Sequence, residues 1–551
     1  MPEYFPTKEE QLQKVRDSFS DTPVVTEHWV RREEMLLAMD GVRLRTVIFT
    51  PESGGAWPTV VQRSCYPHEE AQLELSGQEF ARRGFAMVYQ WCRGTSGSEG
   101  QWEPNVHERE DGLSLVGWLQ KQPWVESMGY YGNSYLALTG WAMADAVPEK
   151  MKTMYLAVYG TVRHASAWQD GLFRQDILTA WAMGNAGHKV EADYLESARF
   201  RPHTEVDEAL WGGKLSWYRD WITHPDGNDA YWQEGFWALL KSIPSKIKIP
   251  IFVAEGWYDH HLGSSLKGWE TLSEMAKAHS VLQICPGNHI FMPAIYGHPE
   301  AKHAEAPQLK QALHWFDQIL RRHELPKPEI QIYEVGMDTW HSLPSYPFPV
   351  TQEKVFYLSG HALTERPEAS GTREYNYDPE NPVQTHGAES LFISFAHTGS
   401  REQPAPDWRD DVLSFLSAPQ QRPIRICGSI RVKLFVRSDA PDTCFAVKLS
   451  EVFPDGRAFH IRNAITTLGW HKGRRRTYDG GVAELELETW PIAWKMRPGS
   501  RLRLDVTSSN FPEYSIHPNT LELWSEATGT RTAHQTIFYG EDHPACVILP
   551  E

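Results

Sequence analysis

The sequence predicts an α/β domain joined to a separate all-β domain. In the first 335 residues, short apolar runs alternate with helical patterns, which indicates a mostly parallel sheet covered by helices on both faces. From about residue 350 onward, apolar and polar residues alternate strictly, which indicates strands with one buried and one solvated face. A chain of 551 residues is also longer than one typical domain, so two or three domains are expected.

The α/β part carries its helix and strand signals in order along the chain. Residues 1–27 form an amphipathic lead-in, where Thr7 and Glu10 have the capping-box spacing that favours a helix. The α/β domain itself is assigned to residues 28–149 and 248–335. Its strands are predicted at 45–49, 59–62, 85–89, 248–254 and 281–285, and its helices at 75–83, 111–120, 135–144 and 266–278.

Residues 150–247 interrupt this alternation and are predicted to form a helical cap. The segment holds seven tryptophans, at positions 168, 181, 211, 217, 221, 232 and 237. For any single tryptophan, packing in the core of a helical subdomain is a sufficient explanation. As a group, an aromatic insertion between sheet strands indicates a lid over a pocket.

The carboxyl-terminal part, residues 350–551, is predicted to be a sandwich or jelly roll of β-strands. Every second residue is apolar in 430–436, 483–488 and 501–506, and turn signals such as Pro454-Asp455-Gly456 separate these runs. Many strands with this period need a second layer to cover their apolar face.

Composition excludes several classes of partner. The 71 acidic residues exceed the 54 basic residues and give a net charge of −17, which is unfavourable for binding nucleic acids or anionic membranes. No apolar run approaches the ~18 residues of a membrane span, and the amino terminus lacks the pattern of a signal peptide. Six cysteines are scattered without CxxC pairs, so neither a zinc site nor a disulfide framework is indicated, and a cytoplasmic location is predicted.

The sharpest local motif lies at residues 130–137, where Gly132 and Ser134 stand between a predicted strand and a helix. A nucleophilic serine at such a junction needs a tight turn to expose its hydroxyl, and Gly132 permits that turn. The usual second glycine is replaced by Leu136, so the motif alone is weak. Because a serine hydroxyl is a poor nucleophile at neutral pH, it also requires a histidine base and an orienting carboxylate.

Asp259 and His289 are the candidates for these two partners, because each directly follows a predicted strand. They come after Ser134 in the order serine, acid, histidine that this type of fold uses. A turn aspartate, or a metal site formed by Asp259, His260 and His261, is the alternative for the first segment. Adjacent residues rarely face one ion, so the metal interpretation is the weaker one.

Together with their flanks, these residues resemble the cocaine esterase-like (CocE/NonD) serine hydrolases, which are related to Xaa-Pro dipeptidyl-peptidases, alpha-amino-acid ester hydrolases and glutaryl acylases. The resemblance extends from about residue 28 to the carboxyl end. It rests on the segments 91–100 (WCRGTSGSEG), 110–112 (EDG), 122–124 (QPW), 256–259 (GWYD), 375–379 (YNYDP), 438–443 (SDAPDT) and 508–512 (SSNFP).

The resemblance implies an α/β-hydrolase domain with an inserted helical cap, followed by a jelly roll. It also implies an oxyanion hole made by the backbone N–H of Tyr135 and the hydroxyl of Tyr66. A phenol can donate a hydrogen bond to a developing alkoxide as a backbone amide does.

The expected reaction is the cleavage of a carboxylic ester or amide through an acyl-enzyme on Ser134, without a cofactor or metal. We expect a bulky hydrophobic acyl group to bind between the cap tryptophans, the Trp257 loop and the jelly roll, with Trp168 and Trp257 as the contact residues. The alternatives are an Xaa-Pro dipeptidyl-peptidase or a beta-lactam or amino-acid ester acylase, for which the cap acids Glu191, Asp193 and Glu196 are candidates to capture an ammonium group.

From a different class, a non-catalytic binding protein that keeps the hydrolase shell is also an alternative. The intact nucleophile, acid, base and oxyanion donor argue against it. The expected partner is a small-molecule ester or amide, with no nucleic acid and no membrane, and a homodimer is left open.

Overall fold

The computed structural model describes residues 7–389 and 397–551. The first six residues of the predicted lead-in and seven residues of the predicted all-β domain therefore lie outside the described residues. The described lead-in contains helix α1 (Lys8–Ser18), which begins with the predicted capping box, since the Thr7 side chain accepts from the Glu10 N–H and the Glu10 side chain accepts from the Thr7 N–H.

Fourteen α-helices occur in the described part of the chain. After α1 they are α2 (Glu70–Arg82), α3 (Glu108–Leu119), α4 (Tyr135–Trp141), α5 (Arg163–Ala167), α6 (Gln175–Gly184), α7 (Tyr194–Arg199), α8 (Val206–Ala209), α9 (Ser216–Thr223), α10 (Ala230–Gln233), α11 (Gly235–Ser242), α12 (Leu262–Thr271), α13 (Glu274–Lys277) and α14 (Gln308–Phe316).

The strands of the first half are β1 (Trp29–Leu37), β2 (Arg43–Pro51), β3 (Trp57–Ser64), β4 (Ala86–Trp91), β5 (Val125–Asn133), β6 (Met151–Ala157), β7 (Trp168–Gln169), β8 (Leu172–Phe173), β9 (Ile251–Tyr258), β10 (Val281–Asn288), β11 (Glu329–Glu334) and β12 (Thr339–Leu343).

The strands of the second half are β13 (Glu353–Ser359), β14 (Ala362–Thr364), β15 (Gly371–Tyr377), β16 (Leu413–Ser417), β17 (Arg425–Gly428), β18 (Arg431–Ser438), β19 (Cys444–Val452), β20 (Ala458–Thr467), β21 (Trp470–His471), β22 (Arg474–Arg475), β23 (Ala483–Glu488), β24 (Ile492–Lys495), β25 (Arg501–Thr507), β26 (Ala533–Tyr539) and β27 (Cys546–Pro550).

The first sheet has ten strands in the order β1-β2-β4-β3-β5-β6-β9-β10-β11-β12. The central strands pair in parallel, and antiparallel pairs close both edges. Both faces of β4, β9 and β10 are buried, as expected for a parallel sheet covered on two sides.

Two boundaries predicted from the sequence differ in the structure. The segment assigned to the cap begins with β6, which pairs with β5 and β9 inside the central sheet. The apolar run at 154–157 is too short for its period to separate a buried strand from a buried helix, and the helical insertion starts only after Ala157. The sheet also continues beyond residue 335, because β12 pairs with β11 as far as Leu343.

The predicted crossover helix at 266–278 is divided into α12 and α13. The break falls at Leu272 and Ser273, where the Ser273 side chain accepts a hydrogen bond from the Ala276 N–H and starts a second helix. A serine with an extended backbone is a strong helix N-cap, so the chain restarts the helix instead of continuing it.

The carboxyl-terminal part is all-β in its described residues, as predicted. Its main sheet runs β15-β26-β18-β27-β13-β14-β16-β25-β19-β20, and β23 pairs with β18. The jelly-roll arrangement stays a prediction. This domain packs on the other parts of the chain: Arg462 donates to the Trp257 carbonyl at 2.5 Å, and Ser525 donates to the Ile222 carbonyl at 2.7 Å.

None of the helices in residues 7–389 and 397–551 combines the length and the hydrophobicity that crossing a membrane requires.

Candidate active site

Ser134 occupies a strained turn between β5 and α4. Its backbone has φ 52° and ψ −130°, which is an unfavourable region for a residue with a Cβ and costs ~1–3 kcal/mol. The Ser134 N–H donates to the Ala157 carbonyl at 2.9 Å, so β6 holds the turn. A Cβ on Gly132 would lie 2.2 Å from the Leu136 carbonyl oxygen, which explains why a glycine stands there. The turn therefore depends on the tertiary structure and on one small residue.

Two neighbouring strands bring the predicted acid and base to the same edge of the sheet. Asp259 follows the end of β9, and His289 follows the end of β10. His289 Nε2 lies 2.9 Å from Ser134 Oγ, and His289 Nδ1 lies 2.5 Å from Asp259 Oδ2. The structure thus brings Ser134, His289 and Asp259 together in one hydrogen-bonded chain.

The surroundings of Asp259 fix the role of each imidazole nitrogen. The Asp259 side chain is fully buried, and its Oδ1 accepts the His261 backbone N–H at 2.7 Å. An ionised carboxylate only accepts hydrogen bonds, so the proton between Asp259 and His289 belongs to Nδ1. Nε2 is then free to accept the Ser134 proton, which is the arrangement that activates a serine.

Tyr66 follows β3 and begins a short 3₁₀ helix, Pro67–Glu69. Its hydroxyl oxygen accepts a hydrogen bond from Trp181 Nε1 at 2.9 Å and donates to no acceptor among the described residues. Burial raises the pKa of Tyr66 well above its ordinary value, so the phenol keeps its proton. One lone pair is thereby occupied by Trp181, and the O–H remains available to a ligand.

The backbone N–H of Tyr135 is the second predicted donor. It belongs to the first turn of α4, where N–H groups have no acceptor within the helix. The Tyr135 side chain points elsewhere: its hydroxyl donates to Glu108 Oε1 at 2.9 Å and accepts the Asn105 N–H at 2.8 Å. Its ring stacks on Trp181 with a centroid distance of 5.8 Å, so the cap contacts both predicted donors.

The alternative metal site is not formed by the residues that the sequence indicated. His261 Nδ1 lies 3.0 Å from Ser166 Oγ, whereas donor atoms of Asp259, His260 and His289 lie within 4.8 Å of one another. Two ligands of one tetrahedral zinc are roughly 3.3 Å apart. The 2.5 Å between Asp259 Oδ2 and His289 Nδ1 fits a hydrogen bond instead. Burial and the neighbouring His261 and His289 hold the pKa of His260 well below its usual range.

A cavity of about 370 Å³ opens beside Ser134. Tyr66, Tyr135 and His289 line it together with apolar side chains of the cap. The cap residues are Ile177, Leu178 and Trp181 from α6 and Trp221 from α9. Among the residues that the structure describes, nothing beyond Ile290 lines this cavity, so the predicted contribution of the all-β domain is absent from its wall.

The two tryptophans predicted to contact the substrate do not line this cavity. Trp168 is buried behind it and donates from Nε1 to the Trp221 carbonyl at 2.9 Å. Trp257 is fully buried in β9 and donates to the Tyr333 carbonyl at 2.7 Å. This hydrogen bond holds the Trp257 indole against β11, outside the wall of the cavity. We therefore correct the prediction: Trp181 and Trp221 are the tryptophans at the cavity.

The cap acids predicted to bind an ammonium group also lie outside the cavity. Glu191 is exposed and pairs with Lys189, and Asp193 caps α7 by accepting the Glu196 N–H at 2.9 Å. The carboxylate that does line the cavity, among the described residues, is Glu69. Burial raises the pKa of Glu69 to about 7, although Ser64 Oγ donates to it at 2.8 Å.

Sequence reasoning did not single out several cavity residues, among them Glu69, Arg163 and Trp181. Glu69, like Tyr66, lies in the segment that follows β3, and Arg163 lies in the segment that follows β6. Their positions after the ends of parallel strands were therefore a usable signal. No local pattern separates Trp181 from the other six cap tryptophans, because its role depends on how α6 lies over the sheet.

Two family models account for most of the chain. Residues 40–291 match the model described as X-Pro dipeptidyl-peptidase (S15 family). Residues 325–548 match the model described as X-Pro dipeptidyl-peptidase C-terminal non-catalytic domain. The second match begins before β11 and β12, which complete the first sheet, and continues through the all-β domain.

Individual relatives agree with these models. The cocaine esterase of Rhodococcus sp. (strain MB1 Bresler) is 26% identical over 565 residues, which cover 94% of this chain and 97% of that protein. The solved structure of an alpha-amino acid ester hydrolase has a TM-score of 0.80 at 20% identity and covers 96% of this chain and 98% of its own. The solved structure of an aminopeptidase from the marine sediment archaeon Thaumarchaeota archaeon has a TM-score of 0.79 at 19% identity and covers 100% of this chain and 99% of its own. The predicted fold and the resemblance to cocaine esterase-like hydrolases are confirmed.

Proposed function

We propose that this chain, which is a serine hydrolase acting on ester or amide bonds, cleaves carboxylic esters with a bulky apolar acyl group through an acyl-enzyme on Ser134. The observation that carries the proposal is the continuous chain of hydrogen bonds from Ser134 Oγ through His289 to Asp259 at the edge of an apolar cavity.

In the first half of the reaction, Ser134 Oγ attacks the acyl carbon while its proton passes to His289 Nε2. The carbonyl oxygen becomes an alkoxide, which accepts hydrogen bonds from the Tyr66 hydroxyl and the Tyr135 N–H. Asp259 holds the imidazole in its tautomer and stabilises the imidazolium. When the tetrahedral intermediate collapses, His289 gives the proton to the leaving alcohol, and the acyl group remains on Ser134.

In the second half, a water molecule takes the place of the alcohol. His289 removes a proton from this water, the hydroxyl group attacks the acyl carbon, and the same two donors hold the oxyanion. Collapse returns the proton to Ser134 and releases the carboxylic acid. All groups needed for both halves belong to this chain.

The cavity wall favours an apolar acyl group. Trp181 and Trp221 present large aromatic faces, and Ile177 and Leu178 add aliphatic surface. A ligand cavity of this kind binds apolar groups and uses a few polar residues for orientation.

An exopeptidase is the second candidate, and one observation favours it. Glu69 is a carboxylate at the cavity, as recognition of a substrate ammonium requires. Its pKa of about 7 leaves it partly protonated at neutral pH, and a neutral carboxyl attracts an ammonium group weakly. We therefore rank ester cleavage first.

The test compares wild-type protein with Ser134→Ala on p-nitrophenyl esters of increasing acyl length and on an Xaa-Pro-p-nitroanilide. Loss of the nucleophile lowers kcat by several orders of magnitude, as in other serine hydrolases. Ser127→Ala is the matched control, because Ser127 lies on the same strand and its buried hydroxyl has no partner in the described structure. Labelling by a fluorophosphonate reports an activated serine without knowledge of the substrate.

Near-normal turnover by Ser134→Ala would contradict the proposal. Activity lost on chelation and restored by zinc would favour the metal alternative at Asp259, His260 and His289. A strong preference for the Xaa-Pro anilide would make the exopeptidase the better description.

We also propose a cytoplasmic location, because all six cysteines are free thiols and five of them are buried. Cell fractionation tests this. The homodimer stays open, and size-exclusion chromatography with light scattering decides it.

A further inference from the structure

Arg163 begins α5 and lines the same cavity as Ser134. Its side chain is buried, with 7% of the residue exposed. A buried guanidinium is costly unless hydrogen bonds and an opposite charge compensate it, so a buried arginine in a cavity needs an identified partner.

The other buried arginines of the described chain all have such a partner. Six arginines besides Arg163 are buried, and each forms an ion pair with a carboxylate: Arg63 with Glu108, Arg83 with Glu79, Arg93 with Asp111, Arg174 with Glu513, Arg462 with Glu389, and Arg503 with Asp505. Arg163 forms no ion pair with a described residue, and its Nε is buried without an acceptor. Within the described structure it is the exception.

Aromatic rings compensate only part of this cost. The guanidinium carbon lies 4.6 Å from the centroid of Trp221 and 5.9 Å from that of Tyr159. Cation–π contacts stabilise a cation, but they leave the N–H donors unused. The planar fork of donors matches a carboxylate, to which arginine binds through two parallel hydrogen bonds.

A second cavity of about 350 Å³ meets Arg163 from another side. Four more cationic residues line it, and no aspartate or glutamate does: Lys241, Lys267, Lys472 and Arg474. Of these, Lys472 is paired with Glu486 at 3.0 Å. In a chain with a net charge of −17, this is a local concentration of positive charge that attracts anions toward Arg163.

We propose that Arg163 is a specificity residue that binds a carboxylate carried by the substrate, in addition to the ester that Ser134 attacks. The substrate class is therefore an ester whose acyl or leaving part bears an anionic group. This inference rests on the function proposed above, because it concerns the same cavity.

The test uses two matched pairs of substrates, one for each part of the ester. Mono-p-nitrophenyl adipate is compared with p-nitrophenyl adipamate, which differ only in the distal carboxylate of the acyl group. Meta-acetoxybenzoate is compared with meta-acetoxybenzamide, which differ in the leaving group. In the wild type, kcat/KM for the anionic member of one pair exceeds that for its amide by roughly 10- to 100-fold, the range of a hydrogen-bonded charge.

Arg163→Met removes the charge and keeps the length of the side chain. It abolishes the preference mainly through a higher KM, because the distal contact is equal in ground and transition states. The esters that carry the distal amide serve as the internal control, since damage to the fold lowers kcat/KM for both members of a pair equally. Arg163→Lys restores part of the preference.

A second measurement needs no variant. Raising the ionic strength from about 0.05 M to about 0.3 M increases KM of the wild type for the preferred anionic ester and leaves KM for its amide unchanged, because salt screens the attraction. The inference about Arg163 is wrong if the wild type hydrolyses the amide-bearing esters but shows no preference for the anionic ester in either pair. It is also wrong if Arg163→Met keeps such a preference. If the wild type hydrolyses none of the four esters, the proposed function fails instead.

Discussion

Replacing Tyr66 by phenylalanine tests the part of the mechanism that depends most on tertiary structure. The change removes one hydroxyl and keeps the ring, which lies 6.4 Å from the Tyr135 ring. The hydroxyl accepts from Trp181 Nε1 at 2.9 Å, so its own proton is the group offered to the substrate. Phenylalanine removes the donor and also leaves the Trp181 N–H without an acceptor.

These two losses have different sizes and appear in different measurements. Loss of an oxyanion donor lowers kcat by about 10²–10³-fold, or about 2.7–4 kcal/mol of transition-state stabilisation. Loss of the hydrogen bond to Trp181 costs the folded state about 0.5–1.5 kcal/mol. KM changes little, because a ground-state carbonyl is a weaker acceptor than the alkoxide.

The assay measures kcat and KM on one activated and one unactivated ester, with urea unfolding of the same preparations. Fluorophosphonate labelling should slow as well, since its phosphoryl oxygen enters the same site. Tyr155→Phe is the matched control: it removes a buried tyrosine hydroxyl that donates to Gln311 at 3.0 Å, outside the cavity. It should lose stability without losing kcat.

Trp181→Phe separates donation from positioning. It removes the N–H that holds the Tyr66 oxygen, together with part of the indole surface, but keeps the Tyr66 hydroxyl, so its effect on kcat should be smaller than that of Tyr66→Phe. A Tyr66→Phe protein with wild-type kcat on both esters would refute the reasoning and place the second donor elsewhere.

Two further predictions concern stability. Burial raises the pKa of Glu69 from its ordinary 4.5 to about 7, so between these pH values the folded state binds more protons than the unfolded state, and the free energy of unfolding falls as pH rises. In urea unfolding, the free energy of unfolding of Glu69→Gln should therefore rise by about 1–3 kcal/mol relative to that of the wild type between about pH 5 and about pH 8. If the difference between variant and wild type does not change with pH, the burial of a titrating carboxyl is contradicted. A fragment of residues 1–349 should be insoluble or inactive, because it loses the Arg462 contact to the Trp257 carbonyl and the Ser525 contact to the cap; a soluble, monomeric and fully active fragment in light scattering and ester assays would show that the all-β domain is dispensable.

The sequence by itself determined the structural class of each domain and the order of the candidate serine, acid and histidine along the chain. Strands that are buried on both faces appear as continuous apolar runs, whereas strands that are buried on one face alternate between apolar and polar residues. The sequence pattern therefore separates the parallel sheet from the all-β domain. The three residues Ser134, Asp259 and His289 could be proposed because each follows a strand, and parallel strands deliver their carboxyl ends to one edge. Local chemistry such as the capping box at Thr7 was equally visible.

Only the tertiary structure decided which side chains share the cavity. Trp168 and Trp181 are equivalent in sequence, yet α6 places Trp181 against Tyr66, whereas Trp168 in β7 donates to the Trp221 carbonyl and does not line the cavity. Trp257 stands two residues before Asp259 but lies in the core, because its indole N–H donates to the Tyr333 carbonyl of β11, which is distant in sequence. The unpaired state of Arg163 is likewise a property of the fold, since it depends on which carboxylates lie nearby in space rather than in sequence.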